Sequence, residues 1–349
     1  MSPRLALVTM AVSQPMGQQV YEQELARRAP AELGDRWLVD QVTVRTLRSP
    51  LPGSVRIPSR LLAGSSPQLR RAAGRIIYRG HDVVHRFDLR LPPAPRPEIL
   101  TVHDVVSWRF PDEAVPPSDA ASSAQQAAAV VCPSQFSADE VCARLGVASA
   151  VAIPNGVHPA FFGAEPLPSD RLAGLGIRRP FVLHAGGCTE RKNLTGLAGA
   201  WPEVRSVHPD AMLVMMGPAD PRRNRLFDPL PGTCLIGRVD DATARGVMAA
   251  ASAVVVPSVY EGFGLPALEG MAVGVPVVAA RRSSLPEVCG DAALLVEPDA
   301  GGLAEGVRAA LTGGADIDEL VARGRRRAGR FTWEASAAAH ADLWRRYAD

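Results

Sequence analysis

Three groups of residues in this 349-residue chain have the types and spacing for chemistry. The first is Arg191-Lys192, which follows an apolar stretch and a Gly186-Gly187 pair. Of the 38 basic residues, 37 are Arg and only Lys192 is Lys, in a chain rich in Ala, Gly and Pro. That balance suggests a GC-rich genome that replaces Lys by Arg, so a retained lysine invites a reason. A diphosphate needs a planar fork and a point charge side by side, with backbone amides open at a helix start. Gly186 and Gly187 leave the backbone accessible at that place. The competing reading, a surface pair capping a helix, leaves the retained lysine unexplained.

The second group is the carboxylate pair Glu261 and Glu269, in the stretch Val254–Ala280. Val254–Val256 reads as a strand, Glu261-Gly-Phe-Gly264 as a glycine-bearing turn, and the residues from Pro266 to Gly274 as a helix before another strand. Ligands of open α/β sheets bind outside the carboxyl ends of strands, which is where this turn falls. Two carboxylates can hydrolyse glycosides as an acid and a base, or accept hydrogen bonds from vicinal hydroxyls. The glycine-rich setting favours recognition: the amides of Phe263, Gly264 and Leu265 can turn toward a sugar or phosphate, and Glu269 lies one helical step further in. Two helix-start acids favoured by the macrodipole are the bland alternative. The third group is His103-Asp104, at the end of an apolar run. It reads equally as an active-site histidine or a structural one. Asp316-Ile-Asp318 has a D-x-D form but falls at a helix start away from any strand end, and no metal site is expected there.

The elements that must position these groups alternate. Strands are expected at Arg4–Val12, Trp37–Val44, Asp82–Phe87, Glu98–Val106 and Ala127–Cys132, with a helix over Val20–Ala29. A second helix is opened by the capping-box pattern Ser137-Ala-Asp-Glu140 and closed by Gly146. Residues 45–80 are rich in Arg and Pro and carry no clear period. Arg56, Arg60, Arg70, Arg71, Arg75 and Arg79 there can face an anionic acceptor or a membrane, although a solvated arginine-rich face is the more economical reading. Asn155-Gly156 reads as a turn, and a Pro-, Gly- and Ala-rich run follows it. From Phe181 a second alternation begins, with strands at Phe181–His184, Met212–Met216, Cys234–Gly237, Ala253–Val256, Val275–Ala279 and Ala293–Val296. Thr332 caps a last helix over Phe331–Tyr347. Strands alternating with helices predict parallel sheets covered on both faces. The expected fold is therefore α/β, two tandem Rossmann-like domains facing a cleft: residues 1–160, a linker at 161–180, a second domain at 181–330, and a C-terminal helix at 331–349 packing back on the first domain.

Composition bounds the function. A hydrophobic content of 47% with 21% charged residues describes a globular chain. A net charge of +2 supplies no field for nucleic acid. No apolar run approaches the roughly 20 residues of a membrane span, and the N-terminal segment reads as a buried strand rather than a signal peptide. The five scattered cysteines lack the spacing of a disulfide or zinc framework, which suits a reducing cytoplasm. A G-x-G-x-x-G fingerprint is absent after the first strand, which argues against a nicotinamide oxidoreductase.

Several of these pieces occur together in a fixed order: Ile153-Pro-Asn-Gly-Val157, Glu190-Arg-Lys-Asn193, Gly237-Arg-Val-Asp240, Pro257-Ser258 and Glu261-Gly-Phe-Gly-Leu-Pro-Ala-Leu-Glu269, an E-x7-E element. With them the chain resembles, over essentially its whole length, the retaining glycosyltransferases of family 4, which have the GT-B fold. The resemblance implies a nucleotide-sugar donor held by the second domain. Arg191 and Lys192 would grip the diphosphate, Glu261 the transferred sugar and Glu269 the ribose. Gly187 and the amides of Phe263, Gly264 and Leu265 would line the donor, and the Gly237–Val239 backbone would meet the base. His103 would lie near the transferred sugar, and Gly17 near the phosphates. At that first loop the chain departs from the family: Gln14-Pro-Met-Gly17 stands where a Gly-Gly pair is common. The run Ser283–Glu297 resembles a branch with many GDP-mannose users. No cofactor or metal is implied. The acceptor would be a sugar, a lipid-linked saccharide or a small molecule, with room for peripheral association at the inner membrane face. A nucleotide-sugar epimerase and a non-catalytic nucleotide-sugar-binding partner are the rivals.

Overall fold

Short runs of Val, Leu, Ile, Met and Ala, buried on both faces in the central strands, become the strands of two parallel sheets. The computed structural model describes residues 2–13, 17–58, 62, 65–95 and 97–348. The chain divides into two compact units: residues 1–156 with 332–349, and Val157–Phe331.

In the first unit, β1 (Arg4–Met10), β2 (Leu38–Thr46), β3 (Val55–Ile57), β4 (Val83–Arg86), β5 (Glu98–Thr101), β6 (Ala129–Cys132) and β7 (Val151–Ala152) form a sheet in the order β3-β2-β1-β4-β5-β6-β7. Every pairing is parallel, with Leu5 set against Val39 on one side and Val83 on the other. The helices are α1 (Gly17–Leu33), α2 (Pro67–Ile77), α3 (Ala120–Gln126) and α4 (Gln135–Leu145).

The second unit opens with α5 (Ser169–Gly174). It continues through β8 (Phe181–Ala185), α6 (Leu194–Val207), β9 (Met212–Met216), α7 (Pro221–Phe227), β10 (Thr233–Gly237) and α8 (Asp241–Ala250). Then follow β11 (Ala253–Val256), α9 (Leu265–Val273), β12 (Val277–Ala280), α10 (Leu285–Cys289), β13 (Leu294–Val296), α11 (Ala300–Thr312) and α12 (Ala315–Ala328). Its sheet runs β10-β9-β8-β11-β12-β13, again all parallel.

The last helix, α13 (Trp333–Arg346), belongs to the first unit. Thr332 caps it by accepting from the Ala335 amide at 3.1 Å. Trp333, Ala337, Ala341 and Trp344 pack into the core made by Leu5, Leu7, Tyr21 and Leu25. A buried polar chain locks the helix in place, and its direction follows from its ends. Trp344 Nε1 can only donate, so His85 Nδ1 accepts at 3.1 Å. His85 Nε2 then donates to Thr101 Oγ1 at 2.8 Å, and Thr101 donates to Tyr21 Oη at 3.0 Å. Tyr21 donates to His340 Nε2 at 2.7 Å, leaving His340 Nδ1 to donate to the Ser336 carbonyl at 2.7 Å. Both histidines must be neutral for this chain to close, and burial holds His340 down to about 4.

Four expectations are corrected. The stretch 161–180 is no linker: Leu167, Leu172 and Ile177 are buried in the second unit's core, and the unit boundaries fall at Gly156/Val157 and Phe331/Thr332. Asn155-Gly156 makes no turn; Gly156 is needed because a Cβ there would stand 2.2 Å from the Trp333 nitrogen. The N-cap of α4 is Ser134, whose extended backbone lets its hydroxyl accept from the Ser137 amide at 3.1 Å; Gly146 does close the helix, at φ 66°. Residues 45–80 hold β3 and α2, where Arg70 and Gly74 interrupt an inward face completed by Ala73 and Ile77 and hide the usual apolar period. The Gln14-Pro-Met16 part of the first loop, and Arg60, lie outside the described residues.

Candidate active site

In the second sheet the strand order reverses between β8 and β11, which opens a crevice at their carboxyl ends. The loops after these two strands meet there. After β8 the chain passes Gly186-Gly187 and makes a 3-10 turn over Glu190–Lys192. Asn193 ends that turn in the left-handed region, at φ 51°. Its amide nitrogen donates to the carbonyls of Pro257 (3.1 Å) and Pro298 (2.6 Å), while its oxygen caps α6 by accepting from the Gly196 amide. The Val259 amide donates to the Arg191 carbonyl at 2.9 Å, which fastens the β11 loop to the β8 loop.

These ties bring together residues about seventy positions apart. Lys192 Nζ donates to Glu261 Oε1 at 2.6 Å, and Arg191 donates to Glu261 Oε2 at 3.0 Å and to the Tyr260 carbonyl at 3.2 Å. Lys192 is 9% exposed and Glu261 6%, so the pair is not a surface helix cap. Burial alone would raise the Glu261 carboxyl; the charges of Lys192 and Arg191 outweigh it and hold the group down to about 2. Glu261 is therefore an ionised acceptor, without a proton to give at neutral pH.

Two serines at the start of the Ser283–Glu297 run, to which sequence reasoning gave no role at the site, hold the Glu261–Gly264 turn. The Glu261 amide donates to Ser283 Oγ at 2.9 Å. Ser284 Oγ lies 2.9 Å from the Glu261 carbonyl and 2.8 Å from that of Phe263. The Phe263 ring points into the core, edge-on to Phe331 at 5.8 Å. Gly264, at φ 106°, turns the chain into α9, and the amides of Phe263, Gly264 and Leu265 have no hydrogen-bond partner among the described residues. Glu269 sits half-buried in α9. Burial first and the charge of Asp241 second push its carboxyl up to about 8, so near neutrality it is largely protonated and can donate as well as accept.

The floor of the crevice is backbone. Gly186 donates to the Met216 carbonyl and Gly217 to that of Gly237, linking the ends of β8, β9 and β10. Gly217 needs φ 139°, and a Cβ on it would lie 2.1 Å from the Gly186 oxygen. Arg223 of α7, 2% exposed, donates to that same oxygen. A Cβ on Gly187 would meet only open space, so its backbone is approachable. Gly237 ends β10 at φ 68°, and Val239 packs half-buried beside the core before Asp240 caps α8. His184, in β8, is 2% exposed and is held neutral, down to about 3, by burial and then by Arg223 and Lys192. His184 and Arg223 gave no sequence signal beyond position, and Ser283 and Ser284 stood out only as the start of the Ser283–Glu297 run.

The remaining predicted residues lie in the first unit. His103 follows β5, and Tyr21 of α1 meets its ring edge-on at 4.9 Å. Burial pushes the imidazole down to about 4, and Nε2 is buried without a partner among the described residues. Gly17 is the exposed first residue of α1, just beyond the first sheet's own reversal between β1 and β4. Among the described residues no three His, Cys, Asp or Glu side chains gather as metal ligands. Asp316 and Asp318 occupy the first turn of α12, where its dipole favours them.

Two family models cover most of the chain: "Glycosyltransferase Family 4" over residues 16–161 and "Glycosyl transferases group 1" over residues 179–313. Among curated relatives, the chain is 36% identical over 164 residues to an O-antigen chain mannosyltransferase B of Escherichia coli, covering 44% of this chain and 42% of that protein. It is 35% identical over 199 residues to a phosphatidyl-myo-inositol mannosyltransferase of Mycolicibacterium smegmatis, covering 54% and 50%. The chain thus spans about half the length of the curated relatives it matches. Among solved structures, a sucrose-phosphate synthase of Thermosynechococcus elongatus superposes with a TM-score of 0.74 at 23% identity, over 99% of this chain and 98% of that one. Anabaena HepE in complex with UDP and glucose superposes with the same score at 17% identity, over 99% and 100%. With matches to both halves and the two parallel sheets of its structural neighbours, the chain belongs to glycosyltransferase family 4 and has the GT-B fold.

Proposed function

We propose that the chain is a retaining glycosyltransferase. It moves a hexose from a nucleotide-diphosphate sugar to a hydroxyl of a glycan, glycolipid or natural-product acceptor. The observation that carries this reading is the buried Arg191–Glu261–Lys192 cluster at the strand-order reversal. The mannosyltransferase names of the relatives make GDP-mannose the first donor to test, while the UDP in the Anabaena structure makes UDP-sugars the second.

In this reading the diphosphate shares Arg191 and Lys192 with Glu261, whose ionised carboxylate accepts from the hydroxyls of the transferred sugar. As the glycosidic bond breaks, its electron pair passes to the diphosphate, where cations already in place stabilise the charge that develops. The acceptor oxygen bonds to the anomeric carbon on the face the nucleotide leaves, and its proton passes to a phosphate oxygen. Two fixed cations cover the developing charge, so the reading calls for no metal. The amides at the start of α9 and the backbone at Gly187 complete the donor cradle. Glu269 takes the ribose, and the Gly237–Val239 backbone the base. His103 and Gly17 are assigned to the transferred sugar and the phosphates.

Thermal-shift screening against UDP, GDP, ADP and dTDP, then their sugars, identifies the donor. Transfer assays on purified Lys192→Ala and Glu261→Ala variants follow. A loss of roughly a hundredfold or more in turnover is expected, the usual scale for a preorganised charge at a leaving group. Near-normal turnover in both would overturn the reading. Altered donor released without acceptor would make the chain an epimerase instead.

A further inference from the structure

Helix α2 packs Ala73 and Ile77 against the core and presents a second apolar stripe to water. Its inward face carries Arg70, which is 3% exposed and pairs with Asp119 at 2.6 Å, and Gly74, where a Cβ would stand 1.9 Å from the Pro93 carbonyl oxygen. Tyr78 continues that face and donates to the Pro92 carbonyl at 3.0 Å. These contacts fix which side of the helix faces the sheet. Leu69, Ala72 and Ile76, at the i, i+3, i+7 spacing of one helical stripe, lie on the outward side, with Leu69 55% and Ile76 78% exposed.

Single exposed apolar side chains are ordinary on a protein surface, but an aligned set on one helix is not. Arg71 and Arg75 run beside the stripe at i, i+4, and Arg79 follows in the turn after the helix, all three exposed. None of the three forms an ion pair among the described residues, and Pro67–Ile77 contains no acid. An apolar stripe flanked by one unneutralised row of cations fits a bilayer surface: the stripe enters the acyl boundary while the guanidinium groups reach anionic headgroups. A nucleic acid would take the arginines and leave Leu69 and Ile76 wet. No helix of the described chain is long and apolar enough to cross a membrane, so contact of this kind lies in the interfacial plane.

We propose that the outward face of α2 docks the protein on an anionic membrane surface. The face shares no residue with the donor crevice, and it gives the glycolipid branch of the acceptor reading a physical route. The full chain is sedimented with vesicles of pure phosphatidylcholine and with vesicles containing roughly one-third phosphatidylglycerol, at rising salt. Binding to the anionic vesicles alone, weakening as salt rises, is expected. Arg71→Ala, Arg75→Ala and Arg79→Ala together should lower the partition coefficient on the order of a hundredfold. Leu69→Ser with Ile76→Ser should lower it as well. All five positions are exposed, so circular dichroism and the nucleotide thermal shift should stay unchanged, which separates failure here from failure of the donor reading. The proposal is overturned if the wild type ignores anionic vesicles or if the arginine variant binds them equally. It also fails if lipid-free light scattering shows a dimer that the Leu69/Ile76 variant dissolves, because the stripe would then belong to a second copy of the chain.

Discussion

Glu261 holds two cations within hydrogen-bond distance in a place with little water, so its structural and chemical roles can be separated by mutation. Removing one member of a buried pair leaves an uncompensated charge and costs about 3–5 kcal/mol, whereas replacing both members with apolar groups is often close to neutral. Glu261→Met removes the carboxylate that both cations share, and should therefore lower stability in urea unfolding more than Lys192→Met, which leaves the Arg191–Glu261 contact in place, or than the double variant. All three should lose transfer activity. A double variant that recovers both stability and turnover would reduce the cluster to a packing device. Glu269 makes a prediction of opposite sign. Its carboxyl is raised from 4.5 to about 8, so between those values the folded chain holds a proton that the unfolded chain has released. Stability contributed at this position is present below about 4.5 and declines as pH rises toward 8. Thermal melts of the wild type should fall over that window, and Glu269→Gln should flatten the decline. An unchanged slope would mean that Glu269 ionises like a surface acid.

At the scale of elements, the donor crevice depends on a turn clamped from the side. Ser284 Oγ, fully buried, reaches the carbonyls of Glu261 and Phe263 from the next strand–helix connection. Ser284→Ala leaves those carbonyls without that donor and should cost about 1–3 kcal/mol. Because the clamp positions the turn and does not touch the reacting atoms, the donor KM should rise more than kcat falls; equal effects on both would argue against it. The strands around this turn were legible: Met212–Met216 and Ala253–Val256 read with the observed ends, since runs of Val, Leu and Met bounded by Gly, Pro or Asp have few other fates. Lys192 was legible as an isolated residue type, and Glu261 through its motif, but their contact spans 69 positions and no local pattern encodes it. Helix α2 was illegible for a physical reason: its inward face mixes Arg70 and Gly74 with the partly buried Ala73 and Ile77, while Leu69 and Ile76 point outward. The stretch 161–180 misled because short helical turns with a few buried leucines have the composition of a linker.

For the whole molecule, the two units differ in how they store buried ionisable groups, and acid should separate them. The first unit buries His85, His103 and His340 in neutral form, with His103 and His340 held down to about 4 and His85 well below its usual 6.5. Each binds a proton when unfolded and none when folded over that interval, so the stability they leave intact above about 6.5 is lost as pH falls toward 4. Glu22, raised to about 7 by burial, opposes them with one proton of the other sign. The second unit buries one such histidine, His184, and offsets it with Glu269. Glu261 begins to cost stability only below about 4.5, on its way to about 2. Between about pH 6.5 and 4.5 the first unit thus carries three unfavourable groups against one favourable, and the second carries one against one. The first unit should unfold first on acidification. Trp333 and Trp344 report on it from the core beneath α13, and Trp201 reports on the second unit. In a Trp201→Phe variant, tryptophan fluorescence should therefore shift at a higher pH than the loss of nucleotide binding. His340→Gln keeps a neutral side chain without the imidazole titration, and should move the fluorescence transition to lower pH. Coincident transitions in the Trp201→Phe protein would mean that the two units unfold as one and that their separate cores do not set the order.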